Sequence, residues 1–186
     1  QRTGSHIDPF QHLIWVPLGQ YSPADRPQSY LLRCRTDQQG QFLARGYYNP
    51  RSQITIRLLT WNPDEEIDAH FFQEAIARSV ARRQALAASP DTDAYRLIHA
   101  ESDLLPGLIV DRYGGYLVMQ FLTLGIDRWK EEAVATLAGM LPSEGIYERS
   151  DVDVREKEGL PPAVGVLWGK EPPDRVEIRE NGHRFL

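Results

Sequence analysis

The sequence predicts an α+β protein: a small β-barrel domain, then a mixed or antiparallel sheet domain with one or two packed helices. Three observations lead to this fold class. Short alternating segments with few helical signals fill residues 1–62, as in small barrels and sandwiches. One long amphipathic segment follows at residues 62–90. The remainder runs strand–strand–helix–strand–strand, an order that favours a mixed sheet over a doubly wound one. We therefore expect two domains, residues 1–62 and residues 63–186.

The strands of the first domain are predicted from three short segments, SYLLRCRT, QFLARGYYNP and SQITIRLLTW. A turn is expected between the first two, at residues 37–40 (DQQG), and Asn49 before Pro50 has loop chemistry. In the third segment Ile54, Ile56 and Leu58 alternate, which predicts that they form the buried side of a strand. The proline-containing segment before Tyr30 gives no clear pattern.

The second domain begins with the clearest helix of the chain. Phe72, Ile76 and Val80 recur at a spacing of four residues and give an apolar stripe. Either Asn62, before Pro63, or Asp68 could cap its start. A second helix is expected at residues 126–141, with Ala133, Val134, Leu137 and Met140 on one face. The predicted strands are YRLIHAE, GLIVDRY, YLVMQFL, GIYERSD, VGVLWG and RVEIRENGHRF.

Composition and motifs exclude several classes of protein. No apolar run approaches the roughly 18–20 residues that cross a bilayer, so we expect no membrane association. Cys34 is the single cysteine, which excludes an internal disulfide and fits a reducing cytoplasm. The net charge of −5 argues against nucleic-acid contacts over the whole surface but permits a local basic stripe. No glycine-rich phosphate loop is present, so neither a nucleotide site nor a cofactor site is expected.

Acidic residues offer two candidate sites, each with a structural alternative. Glu101, Asp103 and Asp111 could act as the acid and base of a small hydrolase if they converge in one cleft. They lie at predicted strand ends and turns, however, where acids commonly serve solvation and local hydrogen bonding. The segment YERSDVDVREKEG could bind a divalent ion through its carboxylates, but a salt-bridged strand edge is favoured. His99 and His183 are isolated, and no metal site is predicted.

Arginine and aromatic residues cluster in the first domain and point to RNA. Arginine contacts phosphate, and aromatic rings stack on unpaired bases. The same composition also suits a solvated sheet face, so both interpretations remain open at this stage. The candidate RNA-binding residues are Arg33, Arg35, Arg45, Tyr47, Tyr48, Asn49, Arg51 and Arg57.

Several segments resemble a known family. GQFLARGYYNPRSQITIRLL resembles the second half of the PUA domain in PUA-containing RNA methyltransferases that use S-adenosylmethionine (SAM), which include bacterial large-subunit rRNA 5-methylcytosine methyltransferases. YRLIHAESDLLPGLIVDRYGGYLVMQF, IYERSDVDVREKEGL and VEIRENGHRF resemble the central domain of that family. The resemblance covers about residues 38–186 and makes residues 1–62 a PUA-like domain. The family's His-Pro-Trp motif is absent from residues 6–30, and Cys34 does not match the family's nucleophile.

The resemblance implies an rRNA-processing enzyme of which this chain is one part. The intact protein would be a cytoplasmic transferase that moves a methyl group from SAM to cytosine C5 of rRNA. This chain would contribute RNA docking and a bridge, with no catalytic residue, no cofactor-binding residue and no activity alone. The ending on Phe185 and Leu186 within a predicted strand is typical of a piece of a longer protein. The expected partners are rRNA and a second copy in a homodimer. The alternative is a free-standing RNA-binding or assembly module without catalysis.

Overall fold

A computed structural model describes residues 14–17, 31–36 and 41–186 of the chain, with side chains from residue 41 onward. Four strands form an antiparallel sheet in the order β1-β2-β3-β4. The predicted strands of the first half are therefore confirmed. The turn expected at residues 37–40 lies outside the described residues, as does most of the segment before Tyr30. The strands are β1 (Ile14–Pro17), β2 (Leu31–Thr36), β3 (Phe42–Tyr48) and β4 (Ile56–Thr60).

The alternation predicted for β4 is wrong in its detail. Ile54 is exposed and precedes the strand, whereas Leu59 is buried. The pairing with β3 jumps from Leu58 to Thr60, so Leu59 is the extra residue of a β-bulge. Gly46 faces this bulge, and a Cβ there would collide with the backbone carbonyl of Arg57. The bulge interrupts the two-residue period and turns Leu59 toward the core.

The long helix begins after Asp68, the second of its two candidate caps, and not after Asn62. Helix α1 (Ala69–Arg82) starts after Asp68, whose carboxylate accepts a hydrogen bond from Phe71 N at 2.9 Å. Of the two predicted caps, Asp68 is therefore the one used, because its side chain satisfies a free backbone N–H of the first turn. The buried face of α1 includes Phe72 and Ile76, as predicted. A short helix α2 (Gln84–Ala87) follows.

The second sheet has five strands in chain order, β5-β6-β7-β8-β9. Only β7 and β8 run parallel; the other neighbours are antiparallel. Helices α3 (Leu124–Asp127) and α4 (Lys130–Met140) lie in the crossover between β7 and β8, and α5 (Val154–Lys157) precedes β9. This arrangement confirms the α+β class with a mixed sheet. The strands are β5 (Ala94–His99), β6 (Leu108–Tyr113), β7 (Tyr116–Phe121), β8 (Gly145–Ser150), β9 (Ala163–Gly169), and the hairpin β10 (Ile178–Glu180) and β11 (His183–Phe185).

The single helix predicted at residues 126–141 is two helices. The break between α3 and α4 lets the Trp129 ring stack on Phe72, with 4.7 Å between ring centroids. Ala133, Val134 and Leu137 are buried as expected, but Met140 is exposed at the helix end. The local 3.6-residue period gives no sign of this break, which coincides with the contact between Trp129 and α1.

Both sheets contribute to one hydrophobic core. Helices α1 and α4 contact each other, and their buried side chains join those of β5, β6, β7 and β8 in one cluster. Tyr47 of β3 and Leu59 of β4 belong to the same cluster. The first sheet is thus packed against the helices and the second sheet. In the described part of the chain, no helix is both long enough and apolar enough to span a bilayer.

Candidate nucleic-acid interface

Of the candidate RNA-binding residues whose side chains are described, Arg45, Tyr48, Arg51 and Arg57 keep accessible surface, and Arg57 is engaged by Glu101 and Glu158. Arg45 and Tyr48 are partly exposed, and Arg51 is exposed. The Arg45 guanidinium donates to the backbone oxygens of Glu65 and, at 3.1 Å, of Pro63. It also lies over the Phe42 ring, 5.7 Å from the centroid. These contacts hold Arg45 in place while leaving part of its cationic surface open to solvent.

Two further candidates can be placed only by their backbone register. Arg33 of β2 lies opposite Gly46, and Arg35 lies opposite Ala44. Cys34 between them pairs with Arg45. The side chains of Arg33 and Arg35 lie outside the described part, so their proposed role in RNA binding stays a prediction.

Tyr47 is placed at the junction between the two sheets. It is 2% exposed. Its hydroxyl lies 2.9 Å from Pro106 O and 2.7 Å from Thr123 Oγ1. Its ring packs against Gly125, where any Cβ would overlap the ring atoms. Burial raises the pKa of the Tyr47 hydroxyl. In this position the ring offers no open face on which a base could stack.

Asn49 and Arg57 meet at a second part of the same junction, around the carboxylate of Glu158. Glu158 is 2% exposed. Its carboxylate accepts hydrogen bonds from Asn49 Nδ2 at 2.8 Å, from Ser52 Oγ, from Arg57 Nη2 at 3.3 Å and from Leu124 N at 3.2 Å. We call this arrangement of Glu158, Asn49, Ser52, Arg57 and Leu124 the Glu158 clamp. It ties the first sheet to the start of α3 and the end of α5.

The loop after β3 is shaped to deliver its side chains to the clamp. Asn49 Oδ1 accepts a hydrogen bond from Arg51 N at 3.1 Å, which is an Asx turn. Asn49 N donates to Thr55 O at 2.8 Å and closes the loop. With its oxygen used locally, the Asn49 side-chain NH₂ is free to donate to Glu158, both to the carboxylate and to the backbone oxygen. The loop predicted from Asn49 and Pro50 is thus part of the junction.

The three acids of the hydrolase hypothesis each bind a different set of arginines. Glu101 pairs with Arg57 at 2.9 Å, and Asp111 pairs with Arg96 at 2.8 Å. Asp103 is buried and is held by Arg83 at 2.6 Å and by Arg82 at 3.2 Å. Carboxylates that divide acid and base roles share a cleft, whereas these are separately neutralised. The contacts of Glu101, Asp103 and Asp111 therefore support a structural role for these acids and not the hydrolase hypothesis.

The pH dependence of stability should show the role of Asp103. Burial alone would raise the pKa of this carboxyl, but hydrogen bonds from Arg83, His99 N and Arg82 outweigh burial and hold the pKa below its ordinary value. A depressed folded-state pKa adds stability above the unfolded pKa of about 3.9. We expect the Asp103→Asn variant to be less stable at neutral pH, with the deficit shrinking as the pH falls below about 4.

Urea denaturation from neutral pH to acid checks this prediction. Asp64→Asn, a change at an exposed loop residue, is the matched control. If the stability deficit of Asp103→Asn stayed constant down to acid pH, the stabilising role assigned to the Asp103–Arg83 ion pair would be contradicted.

The acidic segment near β8 is only partly a solvated strand edge. Arg149 and Asp151 form an exposed ion pair at 3.1 Å, as a salt-bridged strand edge should. Glu148, however, is buried and pairs with Lys130 at 2.8 Å. Arg155 is also buried, and it binds Asp127 at 2.8 Å and the backbone oxygens of Phe121 and Pro161. Within the described ranges, no three His, Cys, Asp or Glu side chains are grouped as a metal site requires.

Sequence reasoning did not find Glu158, Ser52, Leu124 or Thr123 as junction residues. Asn49 and Glu158 are 109 positions apart, and Tyr47 and Thr123 are 76 apart. Glu158 is a lone glutamate before a glycine, and Ser52 lies in a loop. Neither residue belongs to a periodic pattern that would mark it in the sequence. The residues of this junction become visible only when the two sheets are packed together.

Comparison with known proteins finds similarity in both halves of the chain. The model of a family described as a PUA-like domain matches residues 34–61, which cover β3 and β4. Proteins named ribosomal RNA large subunit methyltransferase I are similar over most of the chain. That of Tolumonas auensis is 46% identical over 145 residues, which are 78% of this chain and 36% of the relative. That of Shewanella amazonensis is 48% identical over 143 residues, 77% of this chain and 36% of the relative.

Solved structures share the fold. A chain from Streptococcus mutans, assigned by name to the SAM-dependent methyltransferases, superposes with a TM-score of 0.67 and 24% identity. The match covers 79% of this chain and 37% of that chain. A second solved chain, named as a methyltransferase in complex with S-adenosylhomocysteine, gives the same TM-score and identity. The chain thus spans little more than a third of the length of the relatives it matches, and it is similar to one part of ribosomal RNA large subunit methyltransferases I.

Proposed function

We propose that this chain is the RNA-docking and bridging part of a SAM-dependent rRNA methyltransferase that modifies cytosine C5. In this proposal, residues 1–62 form the PUA-like dock and residues 63–186 form the bridge to a catalytic domain elsewhere in the protein. The observation that carries the proposal is the pairing of a PUA-like match at residues 34–61 with a buried junction to the second sheet. A dock that shares a core with the bridge can hold bound RNA at a fixed angle to the catalytic domain.

The chemistry of the intact protein would lie outside these residues. A base that is modified inside structured RNA must leave its stack to reach an active site. SAM would supply the methyl group, and we assign neither a SAM-binding residue nor a catalytic residue to this chain. The contribution of the chain would be to fix the register of the rRNA, which phosphate contacts do without reading bases. The reducing cytoplasm, where rRNA is made, is the expected compartment.

Among the candidates with described side chains, Arg45, Tyr48 and Arg51 keep accessible surface and lie outside the Glu158 clamp. Arg45 and Arg51 can neutralise phosphates, and Tyr48 can stack on an unpaired base. Tyr47, Asn49 and Arg57 support the same surface from behind through the junction. The net charge of −5 limits such binding to a local patch, because the rest of the surface repels phosphate.

RNA binding by the 186-residue chain tests the proposal. Replacing Arg45, Tyr48 and Arg51 together by alanine should weaken affinity for a structured large-subunit rRNA fragment by roughly tenfold or more, since a stacked base alone is worth about 1–3 kcal/mol. The slope of log K against log salt should become shallower by about two, because two phosphate contacts are lost. Fluorescence anisotropy at several salt concentrations measures both quantities.

The matched control carries the same three residue types on the second domain. Tyr113, Arg179 and Arg184 are exposed or have exposed guanidinium groups, and their joint replacement by alanine should leave affinity within about twofold. Equal loss in both triple variants, or binding that does not depend on salt, would remove the basis for a dock on the first sheet. Both hypotheses expect this chain to bind RNA; a gene whose reading frame encodes no methyltransferase domain would support the free-standing module instead.

A further inference from the structure

Trp61 carries the most exposed aromatic ring in the described part of the chain, with 57% of the residue accessible. A tryptophan ring has a large apolar surface, which folded proteins usually cover or present to a binding partner. No described residue stacks on the Trp61 ring or accepts a hydrogen bond from its indole N–H. The sequence analysis did not count this residue among the candidate RNA contacts, and neither the Glu158 clamp nor the shared core uses it.

The loop that follows Trp61 is fixed by its own hydrogen bonds. Asn62 N donates to Thr60 Oγ1 at 3.0 Å, and Asp64 N donates to Asn62 Oδ1 at 3.0 Å. Glu65 N donates to Asn62 O at 3.3 Å and closes a turn. Side-chain bonds of this kind hold a turn in one conformation. Trp61 is therefore presented from a pre-formed support, which lowers the entropy lost when a ligand binds.

This loop also contacts Arg45, one of the accessible residues of the proposed dock. Arg45 lies opposite Thr60 in the pairing of β3 with β4, so Trp61 is the next residue after its partner. The Arg45 guanidinium donates to the backbone oxygens of Glu65 and, at 3.1 Å, of Pro63. The loop therefore brings an accessible cation and an accessible aromatic ring into one neighbourhood of the first domain. Single-stranded RNA is bound by this combination, in which cations contact phosphates and rings stack on unpaired bases.

We propose that Trp61 is a base-stacking residue of the dock, on which an unpaired base of the rRNA lies while Arg45 contacts the phosphate backbone. This inference rests on the proposed function, which assigns RNA binding to the first domain. The PUA-like match at residues 34–61 includes both residues.

The charges of the loop favour a base over a phosphate at Trp61. Asp64 and Glu66 are exposed in the same loop, and their carboxylates repel a phosphate but not the uncharged face of a base. Every base has such a face, so the contact tolerates different bases and requires only that the nucleotide be unpaired. Trp61 would thus make the dock select RNA with an unpaired segment rather than a continuous duplex.

Truncation of the ring tests the inference on the 186-residue chain. Trp61→Ala should weaken affinity for a structured large-subunit rRNA fragment with an unpaired loop by about fivefold or more, since a stacked base is lost. The slope of log K against log salt should stay unchanged, because no phosphate contact is removed. Trp61→Phe keeps an aromatic ring and should retain most of the affinity. Fluorescence anisotropy measures binding, and circular dichroism confirms folding.

Two controls make the loss specific to stacking. Trp168→Ala removes a tryptophan that is 42% exposed on β9 of the second sheet, and it should bind within about twofold of the unsubstituted chain. The second control uses the same RNA fragment with its loop paired to a complementary oligonucleotide. Trp61→Ala and the unsubstituted chain should bind this paired RNA equally, because it offers no unpaired base.

The outcomes separate this inference from the proposed function. If Trp61→Ala binds as Trp168→Ala does while the Arg45, Tyr48 and Arg51 triple variant loses affinity, the stacking role is overturned and the dock stands. An equal loss by Trp61→Ala on looped and paired RNA would also overturn stacking. If the unsubstituted chain binds neither RNA, both the dock and the stacking role are overturned.

Discussion

Replacing Glu158 by alanine is expected to lower the free energy of unfolding by about 3–5 kcal/mol, the usual cost of removing one partner from a buried charged pair. The loss should fall at the lower end of that range, because Arg57 keeps its pair with Glu101 and Asn49 keeps the backbone oxygen of residue 158, while both lose the carboxylate. Leu124 N also loses its partner. Buried donors left unsatisfied cost more than the hydrogen bonds contributed when formed. Urea denaturation of the two proteins measures the difference.

Two controls separate the clamp from general helix effects. Glu156→Ala removes an exposed acid from helix α5, two positions before Glu158, and should change stability by no more than about 0.5 kcal/mol. Hydrogen exchange should show faster opening of the Asn49 amide, which bonds Thr55 O, in Glu158→Ala but not in Glu156→Ala. Equal stability of the two variants would show that the Glu158 clamp does not hold the sheets together.

Replacing Tyr47 by alanine is the second large effect that we expect, at about 3–5 kcal/mol of unfolding free energy. Its ring is part of the core that the two sheets share and lies against Gly125, so truncation leaves a cavity at the junction. Tyr47→Phe keeps the ring and removes only the hydroxyl, which is bonded to Pro106 O and Thr123 Oγ1. That change should cost only about 0.5–1.5 kcal/mol, because Thr123 Oγ1 still donates to Pro106 O at 3.1 Å and neither oxygen is left unsatisfied.

Tyr113→Phe is the matched control, since its ring is exposed at the end of β6. It should lie within about 0.5 kcal/mol of the unsubstituted protein. Thermal and urea unfolding of all three tyrosine variants test the series. A Tyr47→Ala variant as stable as the Tyr113→Phe control would mean that the two sheets are held together without this ring.

The Tyr47→Phe variant also tests how the junction affects RNA binding by the proposed dock. If Tyr47 acts through the junction, Tyr47→Phe should leave the salt slope of RNA binding unchanged, because no phosphate contact is removed. Its effect should appear as loosening of the loop after β3, which carries Arg51. The same measurement on Arg51→Ala should show the opposite pattern: a shallower salt slope with unchanged stability. The salt slope and the stability together distinguish residues that contact RNA from residues that only hold those contacting residues in place.

Elements with a strong local pattern were predictable. The stripe of Phe72, Ile76 and Val80 and a capping aspartate fix α1, since both act within a few turns of helix. The hairpin of β6 and β7 follows from two apolar runs separated by Gly114 and Gly115, and Gly114 adopts the positive φ that such a turn needs. The break between α3 and α4 and the bulge at Leu59 were missed, because each depends on a neighbouring element.

By itself, the sequence determined the α+β class, the order of helices and strands along the chain, and the arginine- and tyrosine-rich strands of the candidate dock. These depend on periodicity, turn residues and composition, which act over short stretches of chain. Only the tertiary structure decided which of those residues face solvent. It turned Tyr47, Asn49 and Arg57 into a junction with Thr123 and Glu158, and left Arg45, Tyr48 and Arg51 accessible. The physical reason is that burial and hydrogen-bond partnership are set by contacts between residues many positions apart, which no local pattern encodes.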